Sequence, residues 1–291
     1  MKLLSLSLFI LLISLTCYSQ SHKPLEKSLL WEINGNGLKT PSYLFGTYHL
    51  KGKSFIDSLP IVQAKFNKCK AVAGEFVFDQ NTSSKLAFAM ASPLNTLDKV
   101  FSATEFEQIS DYLKDSLHLD IYQFNELKPA ALQVLILQSL APKTVSSKNP
   151  PLDNYFQQEG RKRGDKIIGL ETIDDQINLF FNQPISDQKR HLLQTIKRKD
   201  HLKKYIYRIY NLYQKYDLEE FNREMAIGDD YTQAEIDKLL KNRNIKWIKE
   251  MPEIMQKQAT FIAVGAAHLV GDYGLINQLR LKGYIVKAIK I

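Results

Sequence analysis

One tetrapeptide pattern constrains this chain more than any other feature, because it occurs twice and each time where an apolar run stops. Ser42-Tyr43-Leu44-Phe45 runs into Gly46-Thr47-Tyr48-His49, and Thr260-Phe261-Ile262-Ala263-Val264 runs into Gly265-Ala266-Ala267-His268. Each run predicts a buried strand, and each Gly-x-x-His puts an imidazole at that strand's carboxyl end. Beyond His268, a loop through Gly274 leads to Leu275, Ile276, Leu279 and Leu281 at helical spacing, Gly283 as C-cap, and a last strand from Tyr284 to Ile289. Ligands of open α/β sheets bind outside the carboxyl ends of the strands, so two histidines placed there can converge on one ligand.

The other elements fit the same class. Leu29 to Ile33 predicts a first strand, turned by Asn34-Gly35-Asn36-Gly37 into Ser42 to Tyr48, and Pro60 starts a helix that leads to a strand from Ala71 to Val77. From about residue 83 to 164 the pattern is helical, with Lys85 to Ala91, Thr104 to Leu117 and Pro129 to Leu140 repeating apolar residues at three and four; Thr104 and Glu107 read as a capping box. Lys166 to Leu170 is a strand ending at Glu171, and further helices occupy about 173–257, with Ile177, Phe180 and Phe181 as core. The fold class expected is α/β, a central mixed sheet from N- and C-terminal strands with a large helical insertion or cap, forming one domain over residues 20–291.

Residues 1–19 differ in kind. Lys2 precedes the apolar run Leu3 to Leu15, and Cys17-Tyr18-Ser19 offers small residues for cleavage after Ser19, the pattern of a secretory signal peptide that is too short to span a membrane. Acylation of Cys17 as a lipoprotein competes with this, but Ser14-Leu15-Thr16 departs from that motif. The expected product is exported, periplasmic or extracellular, without a transmembrane span, and it keeps Cys69 alone, so packing rather than a disulfide must stabilise it. A formal charge of +8 would suit an anionic surface or polymer, and export argues against nucleic acid. The most basic stretch, 186–226, carries Leu192, Ile196, Ile209 and Tyr213 at helical spacing, which is what amphipathic helices laid on a core require.

Chemistry centres on three or four side chains. Two imidazoles plus a carboxylate is how catalytic zinc, manganese or iron sites are built, and His49, His268 and Glu75 or Glu171 would supply it. Glu75 lies among Val72, Ala73, Phe76 and Val77, where a buried carboxylate needs a cation, a metal or donors; the bland alternative is a solvent-facing residue on an edge strand. Nucleotide-binding glycine loops, a nucleophile elbow and His-Glu-x-x-His are absent from the sequence. A histidine and two carboxylates working as acid and base without metal stays open.

Taken together, Tyr43 to Leu50, Gly74-Glu75, Leu170-Glu171-Thr172 with Gln176, Arg243-Asn244, and Val264 to Gly271 through Gly274-Leu275 to Gly283-Tyr284 resemble the TraB/GumN family, which is related to the Tiki proteases. The resemblance implies the fold of the erythromycin esterase and ChaN group. It also implies a metal-dependent hydrolase, peptidase-like, acting on a peptide or protein through a divalent ion (manganese, cobalt or zinc). On this chain the metal residues would be His49, His268 and Glu75, with Glu75 as ligand or general base. Arg243 would act beside them, and Glu171, Gly46 and Gly265 would support the site. The alternative is a non-catalytic haem- or peptide-binding protein of the same fold.

Overall fold

Six strands, β1 (Leu30–Gly35), β2 (Ser42–Thr47), β3 (Ala71–Gly74), β4 (Lys166–Gly169), β5 (Thr260–Gly265) and β6 (Tyr284–Ile289), form one mixed sheet in the order β4-β3-β5-β2-β1-β6. The computed structural model describes residues 24–225 and 231–291, so the leader expected at 1–19 lies outside the described residues. Strands β4, β3, β5 and β2 run parallel, and β1 is antiparallel to both its neighbours. The reason for the mixture is local. Gly35, Asn36 and Gly37 all adopt positive φ and reverse the chain tightly between β1 and β2, whereas each parallel pair needs a long crossover. As the central parallel strands, β2 is buried along its whole length and β5 in all but Gly265.

Helices fill the crossovers. Thr82–Met90, Ala103–Tyr112, Pro129–Leu140 and Leu152–Lys162 lie between β3 and β4, and Ile173–Phe180, Ile185–Lys197, Lys199–Tyr213, Leu218–Met225, Gln233–Leu239 and Lys241–Lys257 between β4 and β5. The helix Leu152–Lys162 packs closely on β3, since a Cβ at Gly160 would sit 2.6 Å from Val72 Cγ2. That approach lets Phe156 enter the sheet core, with ring centroids 4.8 Å from Phe261, 5.1 Å from Phe66 and 5.5 Å from Phe45. A second apolar cluster, including Leu132, Ile136, Leu192 and Ile196, joins Pro129–Leu140 to Ile185–Lys197, while Ile209 and Tyr213 pack into the main core. The basic stretch is therefore a set of amphipathic helices whose apolar stripes face inward.

Local expectations are corrected at three points. The capping box belongs to Ser102 and Glu105, which bond each other's backbone N–H, so that helix starts at Ala103. Phe180 is exposed and only Phe181 is buried. Strand β3 stops at Gly74, so Glu75 is the first residue beyond a strand end and not a residue within one. No helix among the described residues is long and apolar enough to cross a membrane.

Candidate active site

The carboxyl ends of the four parallel strands deliver the expected residues in sheet order. Glu171 follows β4 by two residues, Glu75 follows β3 directly, His268 closes the turn after β5, and His49 follows β2 by two. Arg243 and Asn244 reach this edge from the first turn of the helix Lys241–Lys257. The two motif glycines set the fit: a Cβ at Gly46 would lie 3.1 Å from Ala266 Cα and 3.2 Å from Leu269 Cδ2, and one at Gly265 would lie 3.2 Å from Glu75 Oε1. Each glycine thus makes room for a part of the site that another strand supplies.

Arg243 is the hub. Its Nε donates to both Glu171 oxygens at 3.2 and 3.1 Å, and its Nη2 donates to Glu171 Oε1 at 2.7 Å and to Glu75 Oε2 at 2.5 Å. Nη1 donates to Leu239 O and lies 3.0 Å from His268 Nε2. Gln176 Nε2 bridges the same carboxylates, at 2.6 Å to Glu171 and 3.2 Å to Glu75, and the Gly265 N–H donates to Glu75 Oε1 at 2.9 Å. Buried Glu171 and largely covered Glu75 share one guanidinium, which satisfies the requirement that charge withdrawn from water be paired and hydrogen-bonded. Burial works to raise the Glu75 pKa, but His268, Arg243 and His49 with the Gly265 N–H overcome it and hold the carboxyl at about 2. Glu75 is ionised.

The protonation of His268 follows from its neighbour. Asn244 Nδ2 donates to the carbonyl oxygens of His268 and Tyr273, so Asn244 Oδ1 is the acceptor that receives Nδ1–H of His268 at 2.7 Å. The lone pair is therefore on Nε2, which stands 3.9 Å from Glu75 Oε1. Burial holds the His268 pKa down at about 4 despite Glu75, and Trp247 covers the ring at 4.5 Å between centroids.

His49 is held differently. Its Nδ1 donates to Asp153 Oδ2 at 2.8 Å, and Thr47 Oγ1 donates to the other Asp153 oxygen at 2.5 Å. The adjacent Asp153 charge raises the His49 pKa to about 9. Asp153 sits in the first turn of the helix Leu152–Lys162, and one turn later Gln157 donates to Phe76 O and accepts from Phe78 N. One helix face thus fixes both the His49 ring and the loop that follows Glu75. Sequence reasoning missed Asp153, Gln157 and Thr47. For Asp153 the signal was weak, an acid just after Pro150-Pro151 and 104 positions from the histidine it meets.

Both imidazoles thus give Nδ1–H to an oxygen acceptor, the arrangement that orients the other nitrogen of a metal-ligating histidine. With Glu75 they form a donor set whose chemistry suits a divalent ion. The placement is another matter: among the described residues no group of three or more His, Cys, Asp or Glu side chains stands together as a metal cage. Arg243 contacts Glu75 Oε2 and His268 Nε2, while Glu75 Oε1 accepts the Gly265 N–H.

Comparison with known sequences identifies a family and distant relatives. The sequence model of the TraB/PrgY/gumN family matches residues 29–288. Metalloprotease TIKI2 of Danio rerio is 25% identical over 326 aligned positions, covering 92% of this chain and 63% of the relative. A Metalloprotease TIKI homolog of Amphimedon queenslandica is 24% identical, covering 94% of this chain and 64% of the relative. The chain therefore spans somewhat under two thirds of the length of these curated relatives.

Proposed function

The chain belongs to the TraB/PrgY/gumN family, and from that premise we propose that it is a metal-dependent hydrolase of peptide bonds, built on His49, Glu75 and His268. The observation that carries this reading is the ionised Glu75 carboxylate at the end of β3, held 3.9 Å from the lone-pair nitrogen of His268 by donors from three other segments. Such a group is a base or ligand kept in its working state at neutral pH. Similarity to proteins named metalloproteases supports the same class.

Within this reading His268 Nε2, Glu75 and His49 Nε2, the last after giving up its proton, would hold the ion, and a divalent ion there would polarise a carbonyl and favour deprotonation of water. The remaining roles fall to the chain. Asn244 keeps His268 in the tautomer that offers Nε2, and Asp153 fixes the His49 ring. Arg243 neutralises the second acid, Glu171, whose side chain is 3% exposed, and Gln176 donates a hydrogen bond to it. Gly265 N–H holds Glu75 in one rotamer. The leader-like segment supports export and a periplasmic or extracellular substrate.

The test is cleavage of a mixed peptide library followed by mass spectrometry, with manganese, cobalt or zinc supplied and with chelator as control. Glu75→Gln keeps shape and removes the charge, and turnover should fall by about a hundredfold or more. Near-normal turnover by Glu75→Gln on any peptide the wild type cuts would take Glu75 out of the mechanism.

A further inference from the structure

Arg243 makes two kinds of contact, and they are unequal. Towards Glu171 it is held by three N–H···O contacts through Nε and Nη2, with Nη1 on Leu239 O as a fourth anchor. Towards the centre it makes one contact with Glu75 and one with His268 Nε2. His268 Nε2 and the Glu75 carboxylate are the donors a divalent ion would need there. His268 Nε2 has one lone pair and cannot give it to a guanidinium N–H and a dication together, and an ion on the Glu75 carboxylate would repel the guanidinium from its Oε2 as well.

The geometry points to Arg243 as a resident cation that a divalent ion must displace: the Arg243–Glu75 pair and the ion-loaded centre are alternative states of one site, with Glu171 and Leu239 O as the seat that retains the guanidinium in both. The inference rests on the metal-dependent reading above and adds a role to two residues. Glu171 is neither ligand nor base but the tether that lets Arg243 leave Glu75 without becoming an unpaired buried cation. Gln176, which donates to both carboxylates, keeps Glu75 oriented during the exchange. The guanidinium carbon of Arg243 also lies 4.7 Å from the centroid of the Trp247 ring, a contact that holds it on the Glu171 side of the site.

A site whose competent form is a fraction of the whole binds its ligand more weakly by that fraction. Cobalt(II) binding to the full chain, read by its visible absorption and by calorimetry, needs no activity to be seen. Arg243→Lys keeps the charge but loses the fork that spans two carboxylates and an imidazole, and it should bind cobalt about tenfold or more tightly than wild type. Arg243→Met should tighten binding at least as much. Glu171→Gln removes the seat, leaves Glu75 as the only carboxylate for Arg243, and should weaken binding.

Arg243→Lys with wild-type affinity would overturn displacement, since a simple charge effect predicts that equality, and weaker binding by Arg243→Met would overturn it too. If Arg243→Met does not fold, as judged by circular dichroism, Arg243→Lys and Glu171→Gln still decide. Cobalt binding by neither wild type nor any variant would bring down the metal-dependent reading and displacement together. Binding by wild type with no gain in Arg243→Lys removes displacement alone.

Discussion

Asp153→Ala removes an acceptor shared by two residues of very different exposure, and the structure allows the cost to be apportioned. Thr47 is buried, and its hydroxyl would be left without the oxygen it now meets at 2.5 Å, a loss of about 1–3 kcal/mol. His49 is 71% exposed at the side chain, so water replaces much of its bond to Asp153 and that contact adds at most about 1 kcal/mol. Loss of an acid from the first turn of the helix Leu152–Lys162 adds about 0.3–1 kcal/mol. The expected sum is about 1–5 kcal/mol, most of it through Thr47. Asp153→Asn should cost less, because an amide oxygen can still accept from Thr47. Urea unfolding of Asp153→Ala, Thr47→Val and the double variant tests the apportionment, and the cycle should show coupling of about 1 kcal/mol or more. Additive effects, or a loss in Asp153→Ala under about 0.5 kcal/mol, would refute the reasoning.

Gly46→Ala should lower stability by about 1–3 kcal/mol, because its Cβ would press on Ala266 and Leu269 of the other motif; an unchanged Tm would show that the two turns yield freely. Glu235 gives a pH dependence away from the site: burial works to raise its pKa, but the Thr232 N–H, His191, the Thr232 hydroxyl and Arg190 hold it at about 2. Its folded pKa lies below the ordinary 4.5, so its contribution is complete above about pH 4.5 and fades as the pH falls towards 2. The stability gap between wild type and Glu235→Gln in urea should accordingly be full at pH 7 and narrow below about pH 4.5, and a gap that stays constant with pH would remove the assignment.

The strand ends were legible in the sequence because an apolar run, a glycine and a histidine are neighbours, and local pattern is what periodicity reads. Glu171 and Glu75 were legible for the same reason, although the strand before Glu75 ends three residues sooner than its apolar neighbours suggest: Phe76 and Val77 belong to a loop held by Gln157. Pairing was not legible. Nothing in the order of residues says that Arg243 meets Glu75 at a separation of 168 positions, or that Asp153 meets His49 at 104. Both meetings are made by helices whose own sequences explain only their amphipathic packing. The shifted capping box has a similar origin, since Ser102-x-x-Glu105 and Thr104-x-x-Glu107 have equal claims as patterns and the extended backbone at Ser102 decides between them.

The sheet order gives the site its division of labour. Neighbouring strands lie about 4.8 Å apart, so Glu171, Glu75, His268 and His49 form a row with the acids at one end and the imidazoles at the other. Strand β1 runs the opposite way and separates the row from β6, which is why the chain's last strand adds nothing to it. Arg243 reaches the first three members and does not bond the fourth, which Asp153 holds from another helix. The row thus divides between His268 and His49, and of the four side chains only His49 is open to solvent. A ligand that used His49 together with His268 and Glu75 would approach from the exposed His49 side and compete with Arg243 for the other two.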